Sequence, residues 1–313
     1  MSFRIERTES VQAAIQRIAT EQIDKAIAEI DSDEVDRHET VHQVRKRCKK
    51  LRALVRLVRP VFPDYGEVNG FYRDAARELS AFRDAQAVIE TFDDLIERFD
   101  SVLDGERFAS IRSGLVSRRE RIDADGERID RLIAAFREEM VAGRAAVASW
   151  KLDADEGSAV AGGTRKTFKR ARKAMAKAAT TPTTAAFHEW RKRVKYHWYH
   201  ARLLTRCWPE LIEPWAQEAK RLSDLLGDEH DLAVLHGLLL DDPDRFADET
   251  TLQAFFGLIE RRRAKLRTQA FRLGRFVLFE RPSHIERRVR SYVDTWKSSA
   301  GDPGAPAPMD VER

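Results

Sequence analysis

Two stretches of this 313-residue chain carry the same chemistry-bearing side chains at the same spacing. The first reads His42-x-x-Arg45-Lys46-Arg47-x-Lys49 and the second His188-x-x-Arg191-Lys192-Arg193-x-Lys195. The shared offset of 146 residues also matches Arg56 with Arg202 and Leu57 with Leu203. On a helix, offsets of 0, 3, 4, 7 and 14 fall within a stripe about 100° wide. From His42 they give Arg45, Lys46, Lys49 and Arg56. From His188 they give Arg191, Lys192, Lys195 and Arg202, with Tyr199 at offset 11. The periodic face that normally holds core residues is therefore cationic. The apolar stripe lies opposite: Val44, Cys48, Leu51, Val55 and Val58 in one copy, and Trp190, Val194, Ala201 and Leu204 in the other.

Such a face suits an anion. Lysine brings a compact point charge and arginine a planar fork that matches phosphate oxygens in pairs. Histidine is a neutral donor near pH 7, or a cation when a phosphate raises its pKa. A merely solvated basic helix would carry acidic residues four positions away, and these are nearly missing. No G-x-x-x-x-G-K-[ST] or G-x-G-x-x-G loop occurs, so phosphate would have to be held by side chains. That arrangement suits a long repetitive phosphate chain better than a nucleotide, and it calls for no cofactor and no metal.

The charge distribution agrees. The overall charge is only +4, yet nine Lys or Arg stand against Glu39 alone between Arg37 and Arg59, and thirteen against Glu189 alone between Arg165 and Arg206. The rest of the chain is net acidic. Segregation of this kind is costly in self-repulsion and points to a polyanionic partner. The longest stretch free of Asp, Glu, Lys and Arg runs only from Ala178 to His188, too short to span a membrane. No signal-peptide core is visible at the start. Two cysteines, Cys48 and Cys207, fit a reduced cytoplasmic protein better than a disulfide scaffold.

The elements that must position these residues read as helices throughout, since glycine and proline are scarce and apolar residues recur at helical spacing. Val11 to Ile30 forms a first helix capped by Ser10. A second runs from about Glu39 to Pro60, a third from near Gly70 to about Asp100, with Asn69-Gly70 as its entry turn, and a fourth lies within Glu106 to Trp150. The spacing then predicts helices at about Thr164–Ala179, Thr184–Cys207, Pro214–Leu240, Thr250–Phe279 and Ser283–Trp296. The expected organisation is all-α: a first bundle over 1–150, a linker over 151–163 marked by Gly157, Gly162 and Gly163, a second bundle over 164–297, and a disordered tail over 298–313. The repeated motif makes these two duplicated four-helix bundles. Supporting basic residues are Lys169, Arg172 and Lys173, on one helical face with Arg165, and Arg73, Arg77 and Arg83 on the third helix. Asp84 and Asp231 are expected to orient basic neighbours, and Arg261-Arg262-Arg263 to be solvated.

Together, His42-x-x-Arg45-Lys46-x-x-Lys49, the stretch Asn69–Asp84 ending Leu-Ser-x-Phe-Arg-Asp, His188-Glu-Trp-Arg191-Lys192-x-x-Lys195-Tyr196 and Leu225-Leu-Gly-Asp-Glu-His-Asp231 resemble the CHAD family, the conserved histidine α-helical domain, from about Ser10 to Trp296. The resemblance implies two four-helix bundles related by a pseudo-two-fold axis, a basic cavity between them, and binding of inorganic polyphosphate through those histidines, arginines and lysines, in some members at polyphosphate granules. Many members are fused to a triphosphate-tunnel domain. Here no Glu-x-Glu-x-Lys occurs near the start, so triphosphatase chemistry does not carry over.

Two other classes compete. His200, His230-Asp231 and Asp294 have a spacing tolerable for a metal phosphohydrolase of the HD type, although a helical His-Asp pair arises often by chance. Nucleic-acid binding could use the basic stretches with Trp190, Tyr196, Trp198 and Tyr199 as stacking surfaces. Against it, Trp190 and Trp198 fall near the apolar side of their helix, and no helix-turn-helix signature is visible. The reading that accounts for most residues is a cytoplasmic, non-enzymatic polyphosphate-binding protein.

Overall fold

A computed structural model describes residues 3–32, 34, 36–99 and 105–299, without the side chains of 81–84. The described residues form eleven α-helices and no strand: α1 (Val11–Ile30), α2 (Arg37–Val58), α3 (Tyr65–Glu78), α4 (Ser80–Phe99), α5 (Ala109–Asp123), α6 (Gly126–Val147), α7 (Glu156–Thr180), α8 (Thr184–Leu204), α9 (Pro209–Asp241), α10 (Glu249–Val277) and α11 (Pro282–Ser298). The starts follow from capping chemistry, because the first backbone N–H groups of a helix lack intrahelical acceptors. Ser10 accepts from the Ala13 N–H at 3.1 Å, Asp36 from His38 and Glu39, Thr183 from Ala186, and Asp248 from Thr251.

The apolar stripes of α2 and α8 are buried as their spacing requires: Val44, Cys48, Leu51, Val55 and Val58 are at most 1% exposed, and Trp190, Val194, Ala201 and Leu204 likewise. Helix neighbours follow one order in both parts of the chain. α1 lies against α2 and α6, as α7 lies against α8 and α11; α2 packs on α3, as α8 packs on α9; α4 pairs with α5, as α9 pairs with α10. The two parts meet where α2 crosses α7 and α8, and where α4 touches α9.

Several expectations need correction. The linker over 151–163 is not a linker, since α7 begins at Glu156 and takes in all three glycines. They serve close packing instead. A Cβ on Gly163 would lie 1.7 Å from the Leu57 carbonyl oxygen of α2, and one on Gly157 would lie 2.5 Å from the Arg290 carbonyl oxygen of α11. Nor do the two parts own separate cores. One buried cluster runs from Phe3 to Val293, and the other joins Val88, Phe92 and Leu115 to Leu235, Phe255 and Leu266, with the Phe92 and Phe255 rings stacked at 5.1 Å. More than four helices lie on each side of residue 151.

Local boundaries shift too. Asn69-Gly70 sits inside α3, and the single predicted third helix is two, broken at Leu79. The fourth is also two, α5 and α6. α9 starts at Pro209 rather than Pro214 because proline at the first helical position has no N–H to satisfy. α11 reaches Ser298, and residues 300–313 of the expected tail lie outside the described residues. The arginine run is not all solvated. Arg263 is 5% exposed and, with Arg267, donates to the Glu229 carboxylate, itself 1% exposed. No described helix is long and apolar enough to cross a membrane.

The crossing at Gly163 is a sharp test of this packing. Gly163→Ala is expected to lower stability by about 3 kcal/mol or more, because the added methyl meets backbone that cannot yield. Gly257→Ala, in the interior of α10 with nothing near its Cβ position, should raise stability by about 0.5–1 kcal/mol. Denaturant unfolding midpoints of the two variants decide the matter, and similar midpoints would refute the close-packed crossing.

Candidate anion-binding site

The cationic faces of α2 and α8 look across one cavity of about 480 Å³. α2 contributes His42, Arg45, Lys49 and Arg52. α8 contributes His188, Arg191, Lys192, Lys195, Tyr196 and Tyr199. α9 closes one side with His230 and Asp231, and α4 with Ala87. Residues 146 apart in sequence thus line the same cavity, and among the described lining residues Asp231 is the one carboxylate.

The break at Leu79 positions one wall. Ala76 lies in the last turn of α3, where carbonyl groups have no intrahelical donor, and the Arg45 guanidinium donates to its oxygen. Across the cavity, α9 comes close to Arg191: a Cβ on Gly227 would lie 3.8 Å from the Arg191 Nε. The Lys195 ammonium rests over the Trp198 ring, 4.4 Å from its centroid, a cation–π contact that holds it without neutralising it. His188 and His230 meet ring to ring, with their Nδ1 atoms 3.3 Å apart, close enough for one imidazole to donate to the other.

Lys49 is wetted by the cavity yet surrounded by protein, and the surroundings are hostile to its charge. Loss of hydration comes first, then repulsion from Arg191, Arg45 and Lys195, with Asp231 opposing; the ammonium is pushed down to about 8. Lys195 falls to about 8, again chiefly through lost hydration and then Arg191. Burial and the cations nearby lower His188 and take His230 to about 3, so both rings are neutral near pH 7. An anion entering here would relieve repulsion and accept charge-assisted hydrogen bonds from several donors at once.

Of the residues assigned to the anion site from the sequence, His42, Arg45, Lys49, His188, Arg191, Lys192, Lys195 and Tyr199 are brought together. The others stand elsewhere. Lys46 is exposed and donates to Gln43 at 3.3 Å. Arg56 is buried behind Tyr196, 4.5 Å from its ring centroid, and donates to the Tyr65 hydroxyl. Arg73 pairs with Asp74 on the surface. Arg172 donates to the Glu280 carbonyl, while Lys169 and Lys173 are exposed on the same helix, so these three do not form a cavity wall. Arg202 lies beside Phe3 and Trp198. The Arg83 side chain lies outside the described residues.

Apart from Ala87, four described lining residues were not assigned to the anion site from the sequence: Arg52, Tyr196, His230 and Asp231. Arg52 follows Arg45 by seven residues, a heptad step that the offsets chosen from His42 skip. Tyr196 closes the quoted family motif. His230 was weighed as part of a metal constellation, and Asp231 also as a residue that orients basic neighbours, a place it holds beside Lys49. That constellation is dispersed: His200 is fully buried with its Nε2 3.0 Å from the Ala53 carbonyl, and Asp294 accepts from the Gly157 N–H. No group of three His, Cys, Asp or Glu among the described residues could hold a metal ion. Of the aromatic side chains considered for base stacking, Trp190, Tyr196 and Tyr199 are buried, and Trp198 is half-buried with one neighbour ring at 4.6 Å and the Lys195 ammonium at 4.4 Å. A separate concavity of about 340 Å³ among α8 to α11 is apolar, lined by residues such as Leu211, Trp215, Phe276 and Tyr292, and shares none of these cations.

The depressed lysines set a pH dependence for the free protein. Between about 8 and the ordinary lysine value of 10.5, the unfolded chain holds protons that the folded protein has released, so stability rises with pH across that window. The unfolding midpoint is expected to climb from pH 8 to 10, and Lys49→Met to raise the midpoint at pH 7 while flattening the climb. A Lys49→Met protein with the wild-type midpoint and slope would show that Lys49 carries its charge without repulsion.

A family model for the CHAD domain matches residues 17–240. Among solved structures, the chain is similar to a crystal structure of the CHAD domain from the plant Ricinus communis, at 17% sequence identity and a TM-score of 0.51, covering 86% of this chain and 90% of that one. At that identity the likeness speaks for the fold alone. No curated protein matches the sequence. The family model takes in both histidine motifs and more than half of the chain, and the chain belongs to the CHAD family.

Proposed function

We propose that this protein binds inorganic polyphosphate in the cavity between α2 and α8, without a catalytic step, and that this binding places it at polyphosphate granules. The observation that carries the reading is the convergence of Arg45 and Lys49 with Arg191, Lys192 and Lys195 on a single cavity, where Asp231 is the one carboxylate among the described lining residues. The CHAD family is associated with polyphosphate binding, which supports the same ligand class. The two walls are read as copies of one ancestral helical unit, a view supported by the repeated order of helix neighbours.

The mechanism is multivalent. Each arginine or lysine gives charge-assisted hydrogen bonds to phosphoryl oxygens, and the counterions of the chain are released as it enters. His188 and His230, neutral when the cavity is empty, contribute as donors and gain protons more readily once phosphate lies beside them.

The test is a titration against labelled long-chain polyphosphate at about 150 mM salt, a concentration chosen near the physiological, with duplex DNA of equal charge and orthophosphate as competitors. Phosphate release is followed in the same tubes. Wild-type binding should resist DNA, release no phosphate and weaken steeply with salt. Arg45→Ala with Arg191→Ala should weaken binding on the order of 100-fold, about 1.5 kcal/mol for each lost charged contact. Arg128→Ala with Arg131→Ala, exposed on α6, should leave it within twofold. Equal losses from the two pairs would reduce the cavity to diffuse electrostatics, and liberated phosphate would make the protein an enzyme.

A further inference from the structure

The cations of α2 continue past the cavity in a single register. His42, Arg45, Lys49, Arg52, Arg56 and Arg59 alternate steps of three and four residues, the a and d positions of a heptad. The first four line the cavity. Of the last two, Arg56 lies over the Tyr196 ring, 4.5 Å from its centroid, and Arg59 follows three residues on. On α8 the same register is interrupted, with Trp198 in place of Arg52 and Thr205 in place of Arg59.

Arg56 and Arg59 are each 8% exposed, and their surroundings are incomplete. Nε of Arg56, and Nε and Nη2 of Arg59, are buried with no hydrogen-bond partner. Such orphaned donors cost about 1–3 kcal/mol each, more when charged. Tyr65 lies between the two guanidinium groups, with its ring 5.9 Å from Arg56 and 6.0 Å from Arg59. Among the described residues no carboxylate pairs with either. What faces them from α7 is more positive charge: Lys166 and Arg170, one helical turn apart and both exposed. Arg59 repels Lys166 strongly enough to be the largest influence lowering that lysine's pKa, and burial with Arg170 nearby brings Arg59 itself down to about 10. Arg165, on the neighbouring face of α7, does have an acidic partner, Glu286 at 3.1 Å. The four cations at the crossing have none among the described residues.

We infer that Arg56, Arg59, Lys166 and Arg170, with the Tyr65 hydroxyl, form a second anion seat at the α2–α7 crossing that takes phosphoryl groups of a chain whose leading part occupies the cavity. The inference rests on the polyphosphate reading and adds to it a direction and a minimum length. From Arg45 to Arg59 is fourteen residues of helix, about 21 Å, farther than a triphosphate reaches. Short chains therefore engage the cavity alone, and long chains engage both seats. Seats joined by one ligand gain affinity through effective concentration without new chemistry in either.

The decisive experiment compares tripolyphosphate and long-chain polyphosphate by calorimetric titration of the full chain. Three variants are used: Lys166→Glu with Arg170→Glu, Arg45→Ala with Arg191→Ala, and Arg128→Glu with Arg131→Glu, which makes the same charge change near the opposite end of α2. Lys166 and Arg170 are exposed and their reversal removes repulsion from Arg59, so the first variant should fold with a thermal midpoint no lower than the wild type. It should lose at least tenfold in affinity for the long chain and stay within twofold for tripolyphosphate. The cavity variant should lose both ligands, and the third variant neither. Wild-type affinity for the long chain in the first variant overturns the second seat while leaving the cavity reading intact. So does an equal loss of both ligands, or an equal loss in the third variant. If wild-type protein binds neither ligand, the polyphosphate reading falls and the second seat with it.

Discussion

Apolar packing on the far sides of α2 and α8 holds two rows of like charge face to face, and the rest of the molecule depends on it. Arg45, Lys49, Arg191 and Lys195 repel one another across the cavity, with Asp231 as the only opposing charge among its described lining residues. Left to themselves, two such helices would turn their charges outward. They cannot, because Val44, Cys48, Leu51, Val55 and Val58 on one helix and Trp190, Val194, Ala201 and Leu204 on the other are sealed into the core. Each large side chain so buried contributes about 1.5–3 kcal/mol, enough in sum to outweigh repulsion in a solvent-filled recess. Trp190 shows how tightly the seal is made: a Cβ on Gly274 of α10 would come within 2.8 Å of its ring. The binding surface is thus an arrangement the fold imposes at a cost that a ligand of opposite sign refunds.

Where a residue's role follows from helical phase, it could be read in the sequence. His42, Arg45 and Lys49 share one stripe and the apolar residues the opposite one, and periodicity alone separates the two faces. Ser10 and the starts of α1, α8 and α10 were legible for the same reason, since caps are local. What could not be read depends on partners far along the chain. Gly157, Gly162 and Gly163 look like a hinge in composition, yet two of them lie where another helix's backbone passes within reach of a missing methyl. Nothing local distinguishes a glycine chosen for freedom from one chosen for absence of bulk. The arginines of α10 give the mirror case. Arg263 reads as solvated until Glu229, 34 residues earlier, is found beneath it.

The break between α3 and α4 belongs to the same category. The sequence from Gly70 to Asp100 reads as one helix because no proline or glycine interrupts it after Gly70. The interruption at Leu79 frees the Ala76 carbonyl, and Arg45 is the donor that meets it. The corresponding rod on the other side, α9, runs unbroken through Leu222, so Arg191 has no equivalent anchor. The two walls are alike in composition but not in stiffness. One arginine is tethered before any ligand arrives and has given up rotamer freedom already, which spares the binding step that cost.

The register of cations on α2 has a consequence for the shape of whatever lies along it. A straight helix makes a full turn every 3.6 residues, whereas alternating steps of three and four average 3.5, so the row lags by about 20° per heptad and winds left-handed around its helix. From Arg45 to Arg59 the lag amounts to about 40°, which is how a row that begins facing α8 ends facing α7. Inorganic polyphosphate has no handedness of its own. Laid along this row it would be held in a single screw sense, and an achiral polymer would leave water for a chiral mould.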